Sequence, residues 1–150
     1  MQSLKFAALD EEDLAVISTH LQDAIVRVAD VLWRPQEKRL VVGLDRFDWL
    51  SAEGDKPAFR RCRAALRFER VSACKCKQVN PAGKDAVLNL LAVEFEPTDA
   101  PAGVVKFLFS GGGVLRIEVE CLEAELADLG PSWAVDMRPA HIPDVPDARG

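Results

Sequence analysis

Residues 104–131 constrain this chain more than any other stretch. Val105, Phe107 and Phe109 recur at every second position, Ser110-Gly111-Gly112-Gly113 follows, and Leu115, Ile117 and Val119 resume the same period. A period of two marks a strand with one buried face, and glycine supplies the positive backbone angles that a tight hairpin demands. The pattern predicts a hairpin that buries those apolar side chains and turns Lys106, Arg116, Glu118 and Glu120 to water. From about Cys121 to Leu129 the leucines at 122, 126 and 129 have helical spacing, with Gly130 as cap and Pro131 as stop. A sheet closed off by a C-terminal helix is therefore expected.

The remaining segments read in the same terms. Asp10 caps a helix over about Glu11 to Gln22, Glu11, Glu12 and Asp13 complement its dipole, and Leu14, Ile17 and Leu21 form its apolar stripe. Val26 and Val28 alternate, and Val31-Leu32-Trp33 continues that strand into a polar turn at 34–38. Arg39 to Arg46 is its partner, with Leu40, Val42 and Leu44 on one face and Val41, Gly43 and Asp45 on the other. A loop occupies 51–57.

From Phe59 to Val79 the parity breaks. Cys62, Ala64, Leu66 and Phe68 point one way, and Arg61, Arg63, Arg67 and Glu69 the other; an unbroken strand would then bury Arg70 and expose Val71. A bulge or bend near Arg70 to Ser72 is expected instead. Ala86 to Glu96 supplies a further strand after a turn at 80–83. Residues 134–150 form a Pro-rich tail, expected to be mobile, after one globular domain over 1–133. The fold class expected is α+β: a strongly curved antiparallel sheet or partly open barrel with an N-terminal helix and a C-terminal capping helix. That order of elements is similar to the pleckstrin-homology-like superfold.

A chain of 150 residues buries enough surface for a core without a disulfide or metal staple. No apolar run approaches the roughly 20 residues that span a bilayer, and acidic residues at 10–13 interrupt the N-terminus, so a cytoplasmic, membrane-free protein is expected. The net charge of -5 opposes non-specific nucleic-acid binding, which rests on cations displacing counterions from phosphates. Cys62, Cys74, Cys76 and Cys121 lie in apolar strand-like runs without paired C-x-x-C spacing, and are expected to be reduced, buried thiols.

Signals for chemistry are sparse. The glycine run leads into a strand rather than a helix N-terminus, which suits a turn and not a phosphate cradle. Cys74 and Cys76 share one strand face about 7 Å apart, but His20 and His141 are poorly placed to complete a metal site. No nucleophile elbow is present. No catalytic residue, metal or cofactor is assigned. Two binding constellations remain. Arg46, Asp48 and Trp49, with Asp45, sit at a strand end, where carboxylates serve a small-ligand site or small enzyme; the bland alternative has Phe47 and Trp49 anchoring the strand while Arg46 pairs with an acid. Arg61, Arg63 and Arg67 share a face that would meet RNA or an acidic partner; the bland alternative matches them with outward glutamates such as Glu94, Glu96, Glu118 and Glu120.

The stretches at 9–14 (LDEEDL), 20–24 (HLQDA), 46–49 (RFDW) and 119–126 (VECLEAEL) resemble a family of short, mainly alphaproteobacterial proteins, the domain of unknown function 2948. The resemblance covers about Leu4 to Trp133 and implies a cytoplasmic location and a shared architecture, with no activity or catalytic residue to transfer. Complete structural signals without a catalytic constellation favour a non-enzymatic protein-binding or adaptor module with a protein partner. A homodimer through an exposed edge strand stays open.

Overall fold

The computed structural model describes residues 3–53, 58–136, 138 and 139. In chain order its elements are β1 (Lys5–Ala8), α1 (Glu11–His20), β2 (Ala24–Arg27), β3 (Val31–Arg34), β4 (Arg39–Phe47), α2 (Trp49–Ala52), β5 (Arg60–Phe68), β6 (Val71–Lys77), β7 (Val87–Pro97), β8 (Gly103–Phe109), β9 (Val114–Val119), β10 (Ala124–Asp128) and β11 (Trp133–Ala134).

All strands join one antiparallel sheet in the order β1-β10-β5-β4-β2-β7-β8-β9-β6, with β3 on β4 and β11 on β5. The sheet is not closed: it ends at β1 on one side and β6 on the other. Because β5 runs along the whole of β4, both β2 and β3 lie on the other edge of β4, β2 opposite Asp45 and β3 opposite Arg39 to Val42.

Alternation dictates what the sheet encloses. Leu40, Val42 and Leu44 of β4, Ala64, Leu66 and Phe68 of β5, and Val105, Phe107, Leu115, Ile117 and Val119 of the β8–β9 hairpin are all buried in one cluster. Helix α1 begins where Asp10 accepts the Asp13 N–H at 2.8 Å, and it sets Leu14 and Ile17 into that cluster. The Ser18 hydroxyl ties it to β7 by accepting the Val93 N–H. The expected bend is present: β5 stops at Phe68, Arg70 adopts φ 57°, and β6 starts at Val71 with a register shift between Val71 and Ala73. This bend moves the chain from the β4–β5 side of the sheet to the edge beside β9.

Three expectations are corrected. Residues 124–128 are the strand β10, packed between β1 and β5, and not part of a helix. Leu122, Ala124 and Leu126 are buried at every second position, while Leu129, the end of the supposed helical stripe, is 61 % exposed. Leucines four apart satisfy both periods, and an unpaired edge of β5 decides between them by supplying a ladder. The expected pleckstrin-homology-like arrangement requires a C-terminal helix, and residues 121–129 do not supply one. Next, the strand expected to continue through Val28 is broken by a 3-10 turn at Val28–Asp30, which lets β2 and β3 follow different stretches of β4. Finally, of the cysteines only Cys62 is buried; Cys76 is exposed, because β6 is an edge. Of the segment assigned to the tail, Ala134 pairs with Arg60, while 140–150 lie outside the described residues. The 51–57 loop begins inside α2, and 54–57 also lie outside them.

Candidate binding site

The residues singled out from sequence fall on opposite faces of the sheet. Arg46 continues the inward parity of Leu40, Val42 and Leu44 and is 1 % exposed. It reaches across β5 and donates from Nε and Nη2 to the two carboxylate oxygens of Asp128, each at 2.8 Å. Burial works against both charges, yet the paired hydrogen bonds raise the Arg46 pKa and hold the Asp128 carboxyl below its usual range, helped by the Leu4 N–H. Asp48 is also buried, and its carboxylate caps α2 by accepting the Ser51 N–H at 3.1 Å and the Ser51 hydroxyl at 2.6 Å. Trp49 donates its indole N–H to the Gln22 carbonyl and meets Phe47 edge-on. Each of these side chains is engaged by the fold itself.

On the outer face, Arg61, Arg63 and Arg67 do lie together, and acids meet them. Arg63 donates to Asp30 at 2.8 Å and to Asp45 at 3.2 Å, and Arg27 reaches the second oxygen of Asp45. Gly43 makes this possible: a Cβ there would stand 2.7 Å from the Arg63 guanidinium. Arg61 donates to the carbonyls of Asp23 and Asp45 and lies 5.8 Å over the Phe47 ring; burial lowers its pKa against the pull of Asp45 and Asp23. Arg67 pairs with Glu69 and Glu125. The matching acids are thus Asp30, Asp45, Glu69 and Glu125, not the glutamates of β7 and β9. An anion docking here would have to displace carboxylates already in place.

The cations without such partners lie elsewhere. Register aligns Lys75 of β6 with Arg116 of β9, and Arg116 with Lys106 of β8, directly opposite one another on the outer face. Lys77 adds a fourth cation two residues along β6. Lys106 contacts Glu96 at 3.3 Å, whereas Lys75, Lys77 and Arg116 make no ion pair among the described residues. Like charges placed directly opposite cost stability, so this row is a departure from the charge matching seen on β4 and β5.

The inner side of the same strand has the opposite character. Cys74 and Cys76 sit opposite the buried Ile117 and Leu115, and with Leu115, Leu88, Val31 and Trp33 they line a largely apolar slot of about 640 Å³ between β6 and β3, to which Arg34 and Lys84 also contribute. Burial, with Cys76 adding to it, pushes the Cys74 thiol up to about 11, so it behaves as an apolar wall and not as a thiolate. Beyond one hydrogen bond from the Val71 N–H to the Lys38 carbonyl, the far edge of β6 has no backbone partner among the described residues. Sequence reasoning sets Cys74 and Cys76 on one strand face and turns Lys106 and Arg116 to water, but it does not bring them together as a site. Facing positions of Lys106 and Arg116 are readable from the hairpin, but their meeting with Lys75 depends on the β6–β9 pairing.

No cluster of three metal-binding side chains occurs among the described residues, and no described helix is long and apolar enough to cross a membrane. The fold and its edge define the class: an open, mostly antiparallel sheet with few helices. Within that class the chain belongs to the family described as protein of unknown function DUF2948, whose model matches residues 4–141. No curated protein and no solved structure matches it.

Proposed function

We propose that this protein is a binding module that takes an extended segment of a protein partner as an added strand along β6. The observation that carries the reading is the open edge of β6, the longest of the strands that end the sheet or lack a second neighbour, set between a largely apolar slot and a row of cations. Strand addition draws affinity from backbone hydrogen bonds and selectivity from pockets that take every second side chain. Both are at hand. The slot on the inner side receives alternate side chains beside Cys74 and Cys76, and the volume suits a few apolar groups. The engaged state of Arg46, Asp48 and Trp49 favours β6 over the β4 end as the place where a ligand meets the chain.

The test selects peptides of about ten residues from a displayed random library against the whole protein, then titrates the best binder into isotope-labelled protein. Amides of 71–77 should shift and gain protection from hydrogen exchange. Cys76→Glu, at an exposed position on the lip of the slot, should weaken binding about tenfold without moving the thermal midpoint. Failure to select any binder, or shifts confined to the β4 end or to β1, would overturn the reading.

A further inference from the structure

We infer that the segment β6 accepts is acidic at every second position and apolar between. The inference rests on the strand-addition reading above and adds the chemistry of the partner. A strand laid beside β6 shares its pleat, so each residue opposite Lys75 or Lys77 points to the outer face and each residue opposite Cys74 or Cys76 points into the slot. Carboxylates at the first set meet uncompensated ammonium groups; aliphatic side chains at the second set meet Trp33, Leu115 and the thiols.

A lysine-studded edge also guards against aggregation. That accounts for Lys75 and Lys77, and Glu96 pairs with Lys106, but neither accounts for Arg116, which sits one strand in from the edge, makes no ion pair among the described residues and extends the same row. A second copy of this chain is disfavoured as the occupant, because β6, with the sequence VSACKCK, has no carboxylate to offer the lysines of another β6. A nucleic acid is disfavoured as well: Glu94 lies opposite Lys106 and Glu118 opposite Val104, so acids border the row, and the outer face of these strands carries no aromatic ring for bases to stack on.

The experiment measures fluorescence anisotropy with three labelled probes of about ten units: a peptide alternating valine and glutamate, one alternating valine and lysine, and single-stranded oligouridylate. At about 0.1 M salt the glutamate peptide should bind about tenfold more tightly than the lysine peptide, with the gap narrowing as salt rises. The exposed double variant Lys75→Glu with Lys77→Glu should reverse the preference and leave the thermal midpoint in place. Equal binding of both peptides, with protection of β6 amides, would overturn the acidic inference while strand addition stands. Binding of neither peptide with such protection would overturn both. Tighter binding of oligouridylate than of the glutamate peptide, lost in the double variant, would replace the inference with a polyanion surface.

Discussion

Arg46 grips Asp128 through two 2.8 Å hydrogen bonds inside the curve of the sheet, joining two strands that β5 separates. Both side chains are almost fully enclosed, at 2 % and 0 % exposure. A buried pair gains little over an apolar substitute, but removing one partner strands the other charge without water. Asp128→Ala should therefore destabilise by about 3–5 kcal/mol, and joint replacement by Met at 46 and Leu at 128 should recover most of the loss. Urea unfolding monitored by circular dichroism measures both. A loss below about 1 kcal/mol for Asp128→Ala would show that the guanidinium finds another acceptor.

Acid should weaken the fold in two stages. His20 stacks on Phe6, and burial, reinforced by Arg46, lowers its pKa below the ordinary 6.5 against the opposing pull of Asp128 and Asp48. Asp128 also lies below its ordinary 3.8, because the Arg46 and Leu4 hydrogen bonds outweigh burial. A group with a depressed pKa in the folded state binds fewer protons there than in the unfolded chain, so stability is full above the ordinary value and falls as pH drops toward the folded one. The urea midpoint should start to fall just below pH 6.5, and again below 3.8. His20→Gln should abolish the first decline, and Asp128→Asn should flatten the second while lowering stability throughout. An unchanged first decline in His20→Gln would assign it to another group.

The parts of this architecture that were legible from sequence are those governed by short-range alternation. The change of parity at Arg70 locates the bend, and Val105, Phe107, Leu115 and Ile117 reveal a hairpin, which the structure forms with Val105 opposite Ile117 and Phe107 opposite Leu115. Leu122 and Leu126 carry no such information, since a spacing of four fits a helix as well as a strand, and Glu, Ala and Leu are good helix formers. What makes 124–128 a strand is the need of β5 for a neighbour, with Glu125 opposite Arg67. The partner of Arg46 was hidden for the same reason, because Asp128 lies in the misread segment. The cation row is half visible: Lys106 and Arg116 face each other within one hairpin, while Lys75 joins them through pairing across 41 positions of chain, a distance that no local pattern encodes.

The thiols offer a direct check on which side of β6 is enclosed. Cys76 is exposed, Cys74 half-buried and Cys62 buried. With its thiol at about 11, Cys74 holds only about one thiolate in a thousand at pH 8. Iodoacetamide at that pH should modify Cys76 well before Cys74, and Cys62 last, as followed by mass spectrometry of tryptic fragments. Urea should erase the order. Early modification of Cys74 would mean that the slot between β3 and β6 opens more widely than its lining suggests.

Two glycines should respond in contrasting ways to one added methyl group. A Cβ at Gly43 would come within 2.7 Å of the Arg63 guanidinium, the far end of a flexible side chain, and Arg63 is able to swing aside at the expense of its Asp30 contact. A Cβ at Gly103 would stand 2.5 Å from the Phe95 ring and 2.7 Å from the Glu96 carbonyl oxygen, where β7 and β8 pair and the backbone has no room to retreat. Gly43→Ala should change stability by less than about 1 kcal/mol, because the lost ion pair is partly exposed and alanine suits a strand better than glycine. Gly103→Ala should cost about 1–3 kcal/mol through overpacking. Thermal unfolding of the two variants side by side measures the contrast. A larger loss at Gly43 would place the Arg63, Asp30 and Asp45 network, and not the packing of Phe95 against β8, among the main supports of the sheet.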